Sequence, residues 1–242
     1  MKKYLIINAD DFGLSEAVNY GIISAHKTGV VTSTSTMANM PGFEHAMELL
    51  KENKKLGCGV HLTMSCYKPV LSNLKTIVDE KGYFIRRITN EVIESMDLDE
   101  IYTEFCAQIE KVRAKTTITH LDSHHHIHTL EKLRPVIEGI LEKYNLPIRG
   151  GFEYDLNYSK IIPLIDTFYG DNVSEDYFMK NNDNLKEYEI ADIMCHPAFV
   201  DDFLIKTTSY SMARINEHKI LTSKEIKDFV QNNFLLTNYR GL

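Results

Sequence analysis

Residues 4–37 read YLIINADDFGLSEAVNYGIISAHKTGVVTSTSTM. The stretch opens on a short apolar run, Tyr4–Asn8, whose length and composition suit a buried strand. Ser15 then stands where a helix N-cap is expected, ahead of Val18, Ile22, Ile23 and Ala25, which lie near one face of a helix running to about Lys27. Gly29 stops that helix. Val30–Met37, rich in valine and threonine, reads as a second strand. A strand, a helix and a strand in this order form one unit of a parallel sheet.

The alternation continues. Phe43–Lys55 reads as a helix, with Ala46, Leu49 and Leu50 apolar, and Gly59–Met64 as a third strand. Residues 65–97, with Pro69, Gly82 and mixed polarity, read as a long excursion, a loop over a site. Leu98–Lys115 carries Ile101, Phe105, Ile109 and Val112 at helical spacing. Thr117–Ser123 is strand-like, Leu130–Tyr144 helical and Leu146–Arg149 a short strand. Asp166–Phe168 and Ile190–Cys195 are further strand candidates. Thr222–Glu225 has the form of a capping box opening a helix to about Asn233, and Leu235–Asn238 is a last strand. Roughly seven or eight such units favour a TIM-like (β/α) barrel over an open doubly wound sheet, within one α/β domain spanning residues 1–242.

Composition narrows the function. Of 242 residues, 43% are hydrophobic and 25% charged, which fits a globular protein. With 27 Lys and Arg against 34 Asp and Glu, the net charge of −7 argues against a nucleic-acid binder. The opening MKKYLIINADDFG imitates a signal peptide only until Asp10 and Asp11 end its apolar run. No window of about 18 apolar residues exists, so no membrane span is expected. Cys58, Cys66, Cys106 and Cys195 form no CxxC pair, and reduced thiols in a cytoplasmic protein are expected.

The polar clusters follow the apolar strands. Asn8-Ala9-Asp10-Asp11 follows the first, His61 lies in the third, His120–His128 (HLDSHHHIH) follows the fourth, and His196-Pro197 ends a late one. In parallel α/β folds the C-terminal ends of strands share one rim, where active sites gather. Neighbours in a strand point to opposite faces, so Asp10 and Asp11 share a pocket only if the chain turns there, and Gly13 would permit it. Capping of the following helix is the plain alternative for either aspartate. If strand register persists through the histidine tract, His120, Asp122, His124, His126 and His128 share one face, and Ser123 and His125 the other. Asp122 is a plausible orienter of a liganding imidazole. His61 and His196 each have a plain reading as hydrogen-bonded core residues. Arg149, in PIRGG, reads either as a binder of a phosphate or hydroxyl or as a surface arginine. No GxSxG, GxxxxGK[ST] or GxGxxG motif is present. A mixed set of aspartates and histidines instead suits a divalent ion and metal-assisted hydrolysis.

NADDFG at 8–13, VTSTSTMANMP at 31–41, HLT at 61–63, THLDSHHHIH at 119–128 and MCHPAF at 194–199 together resemble the YdjC/ChbG carbohydrate deacetylases. The resemblance covers the chain to about residue 200, and the tail beyond adds little to it. It implies a distorted (β/α) barrel related to the polysaccharide deacetylases. The implied activity is hydrolysis of an N-acetyl group on an amino-sugar oligosaccharide of the chitooligosaccharide type, releasing acetate. Carried over, Asp11 resembles the metal carboxylate and His61 and His124 the imidazole ligands. Asp10 resembles the base that activates water, and His196 the acid for the leaving amine. Asp122, His125, His126 and Arg149 would then contact the sugar or support the ligands. The resemblance implies magnesium, although the ligand types suit zinc equally, and a homodimer. Two rival readings stand beside it: a phosphoesterase or amidohydrolase on a similar barrel, and a sugar-binding relative without turnover.

Overall fold

The computed structural model describes residues 2–242. Its organising element is β1 (Lys3–Phe12), whose residues from Leu5 onward are all buried. Along one edge, Tyr4–Ala9 pair with β8 (Ile190–Cys195). The other edge is shared: Lys3–Ile6 pair with β9 (Phe234–Thr237), and Asn8–Phe12 with β2 (Ser33–Thr36). From β2 the sheet continues through β3 (Gly57–Leu62), β4 (Leu121–Ser123), β5 (Ile148–Arg149) and β6 (Ile161–Ile162), while β7 (Leu164–Ile165) lies beyond β8. Every one of these pairings is parallel.

Closure depends on one residue. The strands at the two ends of the order, β6 and β7, are separated only by Pro163. One extended segment, IIPLI, therefore pairs with β5 before the proline and with β8 after it. The result is a nearly closed parallel barrel of eight strands with β9 added at its base, the distorted (β/α) barrel anticipated from the alternation. Asp166–Phe168, expected as a strand, is not one; the pairing segment lies just before it. Proline ordinarily speaks against a sheet position because it donates no hydrogen bond. Pro163 is tolerated where the segment changes partners, and its carbonyl still accepts from the Asp192 N–H at 2.8 Å.

Helices cover the outside. In α1 (Glu16–Thr28) the Ser15 side chain accepts from the Val18 N–H, and Val18, Ile22, Ile23 and Ala25 are buried. α2 (Phe43–Glu52) and α3 (Asn90–Glu94) follow, with a single antiparallel bridge, Val78 to Phe84, inside the 65–97 excursion. In α4 (Leu98–Arg113) the four spaced apolar residues Ile101, Phe105, Ile109 and Val112 are all at 0% exposure. Each such side chain contributes about 1.5–3 kcal/mol on burial, which anchors the helix against the sheet. The remaining helices are α5 (Arg134–Tyr144), α6 (Tyr177–Lys180), α7 (Asn182–Leu185), α8 (Asp202–Thr207), α9 (Ala213–Leu221) and α10 (Lys224–Asn233). Ser223 caps α10, one residue later than the capping box at Thr222 predicted.

Strand periodicity divides β1 between two environments. Leu5, Ile7 and Ala9 belong to the main apolar cluster, whereas Ile6 belongs to a small separate one with Ile162 and Tyr239. Asn8 and Asp10 continue the Ile6 face, so the polar side chains of β1 enter the barrel above that small apolar plug.

Candidate active site and metal centre

Strict alternation would turn Asp11 away from Asp10. The pairing of β1 with β2 instead shifts register between Ala9 and Phe12, and Asp11 has φ +69°. A bulge with one left-handed residue re-aims a side chain without ending the strand. The turn expected at Gly13 thus begins two residues earlier, at Asp11. Gly13, at φ +93°, then carries the chain into α1 and donates its N–H to Asn19 Oδ1 at 2.6 Å.

The histidine tract does not keep strand register. β4 ends at Ser123, and His125 and His126 take φ of +56° and +53°. Such backbone costs about 1–2 kcal/mol per residue outside glycine, and it splits the face that alternation predicted. His120 stacks flat on Tyr239, with ring centroids 3.8 Å apart. His128 is buried between the Ser123 hydroxyl and the Arg149 carbonyl. His124 alone reaches Asp11. His125 tilts over His124 at 3.9 Å and pairs through Nδ1 with Ser65 Oγ at 3.0 Å. His126 is half-buried beside them and lines the same cavity.

Asp11, His61 and His124 converge from β1, β3 and the turn after β4, with one donor atom from each within 4.8 Å of the others. His61 Nε2 lies 3.4 Å and His124 Nδ1 3.2 Å from Asp11 Oδ1. That oxygen is buried and has no hydrogen-bond partner among the described residues. A buried carboxylate oxygen facing two imidazole nitrogens without a proton bond is what a cation would satisfy, so this donor set fits a divalent ion. The second imidazole nitrogen of His61 is engaged by Asp122 Oδ1 at 2.8 Å, which directs Nε2 toward Asp11. Asp10, His61 and Asp122 form a second convergent set. There, however, Arg149 already supplies the positive charge.

Arg149 is wholly buried and is not among the residues lining the cavity, which excludes the surface reading and agrees with a role in supporting the residues that do line it. Its Nη1 and Nη2 donate to the two oxygens of Asp10 at 2.7 and 2.8 Å, and Nε to Asp192 Oδ2 at 2.7 Å. Nη1 also lies 3.1 Å from Asp122 Oδ2. Burial opposes charge on Asp10, but the Arg149 guanidinium, with help from His61, holds the carboxyl below its ordinary value. Asp192 receives less compensation, and burial pushes it up to about 6. Burial opposes charge on His61, yet Asp122 and Asp10 beside it raise that imidazole to about 10, so positive charge is favoured at this point, and an ion bound at Nε2 would take the place of the proton there.

His196 follows β8 on the opposite wall, 12% exposed. Burial and then Arg214 hold it down to about 3. Its backbone N–H donates to Glu217 Oε2, while the Tyr210 hydroxyl donates to Glu217 Oε1 at 2.5 Å. Burial pushes Glu217 up to about 7. Arg214 Nη2 donates to Asp11 Oδ2 at 2.7 Å. Tyr169, 43% exposed, stacks on Tyr210 at 4.2 Å. A cavity of about 360 Å³ opens among Asp11, His61, His124, His196, Tyr169 and Arg214, a size suited to a small polar ligand. Sequence reading missed Arg214, Glu217, Tyr210 and Tyr169. Asp192 did carry a signal: a lone acid inside the apolar strand IADIMC.

The family model described as YdjC-like protein matches residues 4–232. A carbohydrate deacetylase of Halalkalibacterium halodurans is 42% identical over 234 residues, 93% of this chain and 98% of that one. A carbohydrate deacetylase of Clostridium beijerinckii is 38% identical, covering 98% and 99%. A crystal structure from Enterococcus faecalis, described as a cellobiose-phosphate cleavage protein, superposes with a TM-score of 0.91 at 37% identity, covering 99% and 98%. The Xyl-CE4 domain of a multidomain xylanase from the hindgut metagenome of Trinervitermes trinervoides shares the fold at a TM-score of 0.51 and 10% identity, covering 98% and 87%.

Proposed function

The chain belongs to the YdjC-like family, and from that premise we propose that it is a carbohydrate deacetylase that removes the N-acetyl group of an amino sugar with a divalent ion held by Asp11, His61 and His124. The observation that carries this reading is the unpartnered Asp11 Oδ1 facing two imidazole nitrogens at the floor of the cavity. A divalent ion held by these three residues supplies Lewis acidity, polarising an amide carbonyl and making water a better nucleophile.

The chain's own groups do the rest. Asp10 is the base: ionised and gripped at both oxygens by Arg149, it accepts a proton as water attacks the carbonyl carbon. The C–N bond then breaks, acetate forms, and the departing amine nitrogen takes a proton from His196. The His196 imidazole is neutral at rest, so the proton that Asp10 takes from the water must pass to it within each turnover before it reaches the amine, which returns both groups to their starting states. Tyr169 offers an exposed ring face to a sugar. His125 and His126 flank the same opening, within reach of a sugar hydroxyl.

The substrate is a chitooligosaccharide, supported by the motif likeness. The similarity to a protein named for cellobiose-phosphate cleavage adds a phosphorylated disaccharide to the candidates. The test is acetate release from diacetylchitobiose, its 6-phosphate and N-acetylglucosamine by protein loaded with magnesium or zinc. Expected are one ion per chain and release from at least one sugar. Two or more ions per chain together with hydrolysis of phosphate esters would favour a phosphoesterase instead.

A further inference from the structure

Among the described residues that line the cavity, Met194 is the one aliphatic side chain. It is 5% exposed, yet it belongs to neither of the two apolar clusters. A buried methionine ordinarily packs among other apolar side chains. This one is set against a polar cavity.

Strand register fixes its direction. In the pairing of β8 with β1, Asp192 partners Ile6 and Met194 partners Asn8. Paired residues of parallel strands point to the same face. Ile6, Asn8 and Asp192 all face the barrel interior, so Met194 does too. Alternation then sets His196, Met194 and Asp192 on one wall, in order of depth below the mouth. His196 and Met194 line the cavity. Asp192 does not; it is held beneath by Arg149 and Tyr239. Met194 is therefore the floor of this wall.

An N-acetyl sugar brings one group that a polar lining cannot satisfy. Its carbonyl oxygen and its nitrogen both find polar partners in the cavity. Its methyl gains only against an apolar surface. The sugar ring is bulky and hydroxylated and stays at the mouth, so the acetyl group enters first and its methyl lies deepest.

Resting on the deacetylase reading above, we infer that Met194 is the specificity-determining residue of the site: its side chain receives the acetyl methyl and sets the length of acyl group that is removed. A propionyl group carries one more carbon toward the same floor. Methionine is flexible, but Arg149 and the three carboxylates it joins are fixed behind it. They limit how far the side chain can retreat.

The test uses chitobiose bearing N-formyl, N-acetyl or N-propionyl groups, with and without a 6-phosphate, and measures the acid released. Wild type is expected to prefer acetyl over propionyl by about tenfold or more in kcat/KM. Met194→Ala removes three heavy atoms from the floor. In that variant the propionyl-to-acetyl ratio should rise about tenfold or more, and the acetyl-to-formyl ratio should fall about threefold or more. The intrinsic reactivities of the three amides cancel when a ratio is compared between variant and wild type. Met194→Leu, which conserves volume, should keep the wild-type preference. A structure of the wild type with acetate, the product, gives a readout independent of how any variant folds: the methyl carbon should lie within about 4 Å of the Met194 side chain. A wild type that takes propionyl as readily as acetyl, ratios unchanged in Met194→Ala, or an acetate methyl turned toward the mouth would each overturn the assignment and leave the deacetylase reading standing. A wild type that releases acid from none of these sugars would remove both.

Discussion

At the scale of single residues, the site separates groups that meet the reaction from groups that hold them. Asp10 is the sharpest case, because its carboxylate is fixed at both oxygens by Arg149. Asp10→Asn keeps the shape and removes the base. Turnover should drop by about 10²–10⁴ while the ion stays bound, as measured by acetate release and elemental analysis; an undiminished rate would reassign the base. Arg149→Leu acts differently. It leaves Asp10, Asp122 and Asp192 buried without their cation, so urea unfolding should show a loss of about 3–5 kcal/mol. The candidate ligands were singled out in sequence through the family's motifs; the residues by themselves showed only that acids and imidazoles gather in and after the apolar strands, with capping and core roles open to them. Arg149 was visible, but its choice among a supporting, a sugar-contacting and a surface role was not, since nothing in PIRGG tells a buried guanidinium from an exposed one. Arg214 and Glu217 were hidden, because charged residues on a helix ordinarily mean a solvated face.

At the scale of elements, what decided the outcome was where each strand stops alternating. The spaced apolar residues of α4 and the Ser15 cap of α1 were readable because helix periodicity and capping chemistry are local. The bulge at Asp11 and the left-handed pair His125–His126 were not, because they replace the period that sequence reading relies on. The pairing of β3 with β4 also rests on close approach. A methyl group at Gly59 would sit 2.4 Å from the His120 ring. Gly59→Ala should therefore push His120 from its stack on Tyr239 and cost about 1–3 kcal/mol. A melting temperature unchanged from wild type would mean that the two strands part more easily than this contact implies.

At the scale of the whole molecule, the barrel was foreseeable from the repeated strand and helix alternation, whereas its closure was not. A proline inside IIPLI hid the seam between β6 and β7. The interior makes stability depend on pH through opposed groups. Burial holds His128 down to about 3, well under the ordinary histidine value near 6.5, so the unfolded chain binds this proton first and stability is lost as pH falls from about 6.5 toward 3. Glu217 and Asp192, raised to about 7 and about 6, act with the opposite sign. Comparison with His128→Asn isolates the histidine: on acidification the stability gap should narrow by up to about 1.4 kcal/mol per pH unit. Parallel urea titrations of the two ion-free proteins measure it; a constant gap would mean that His128 is already protonated in the native state.

The shared edge of β1 bears on how the molecule comes into being. Lys3–Ile6 find their partners only in residues 190–192 and 234–237, and Tyr239 closes the interior through its hydroxyl bond to Asp192. A ribosome making this chain exposes these four residues long before either neighbour exists. The earliest hydrophobic segment must therefore wait, open to chaperones and to mispairing, until nearly all of the polypeptide has emerged.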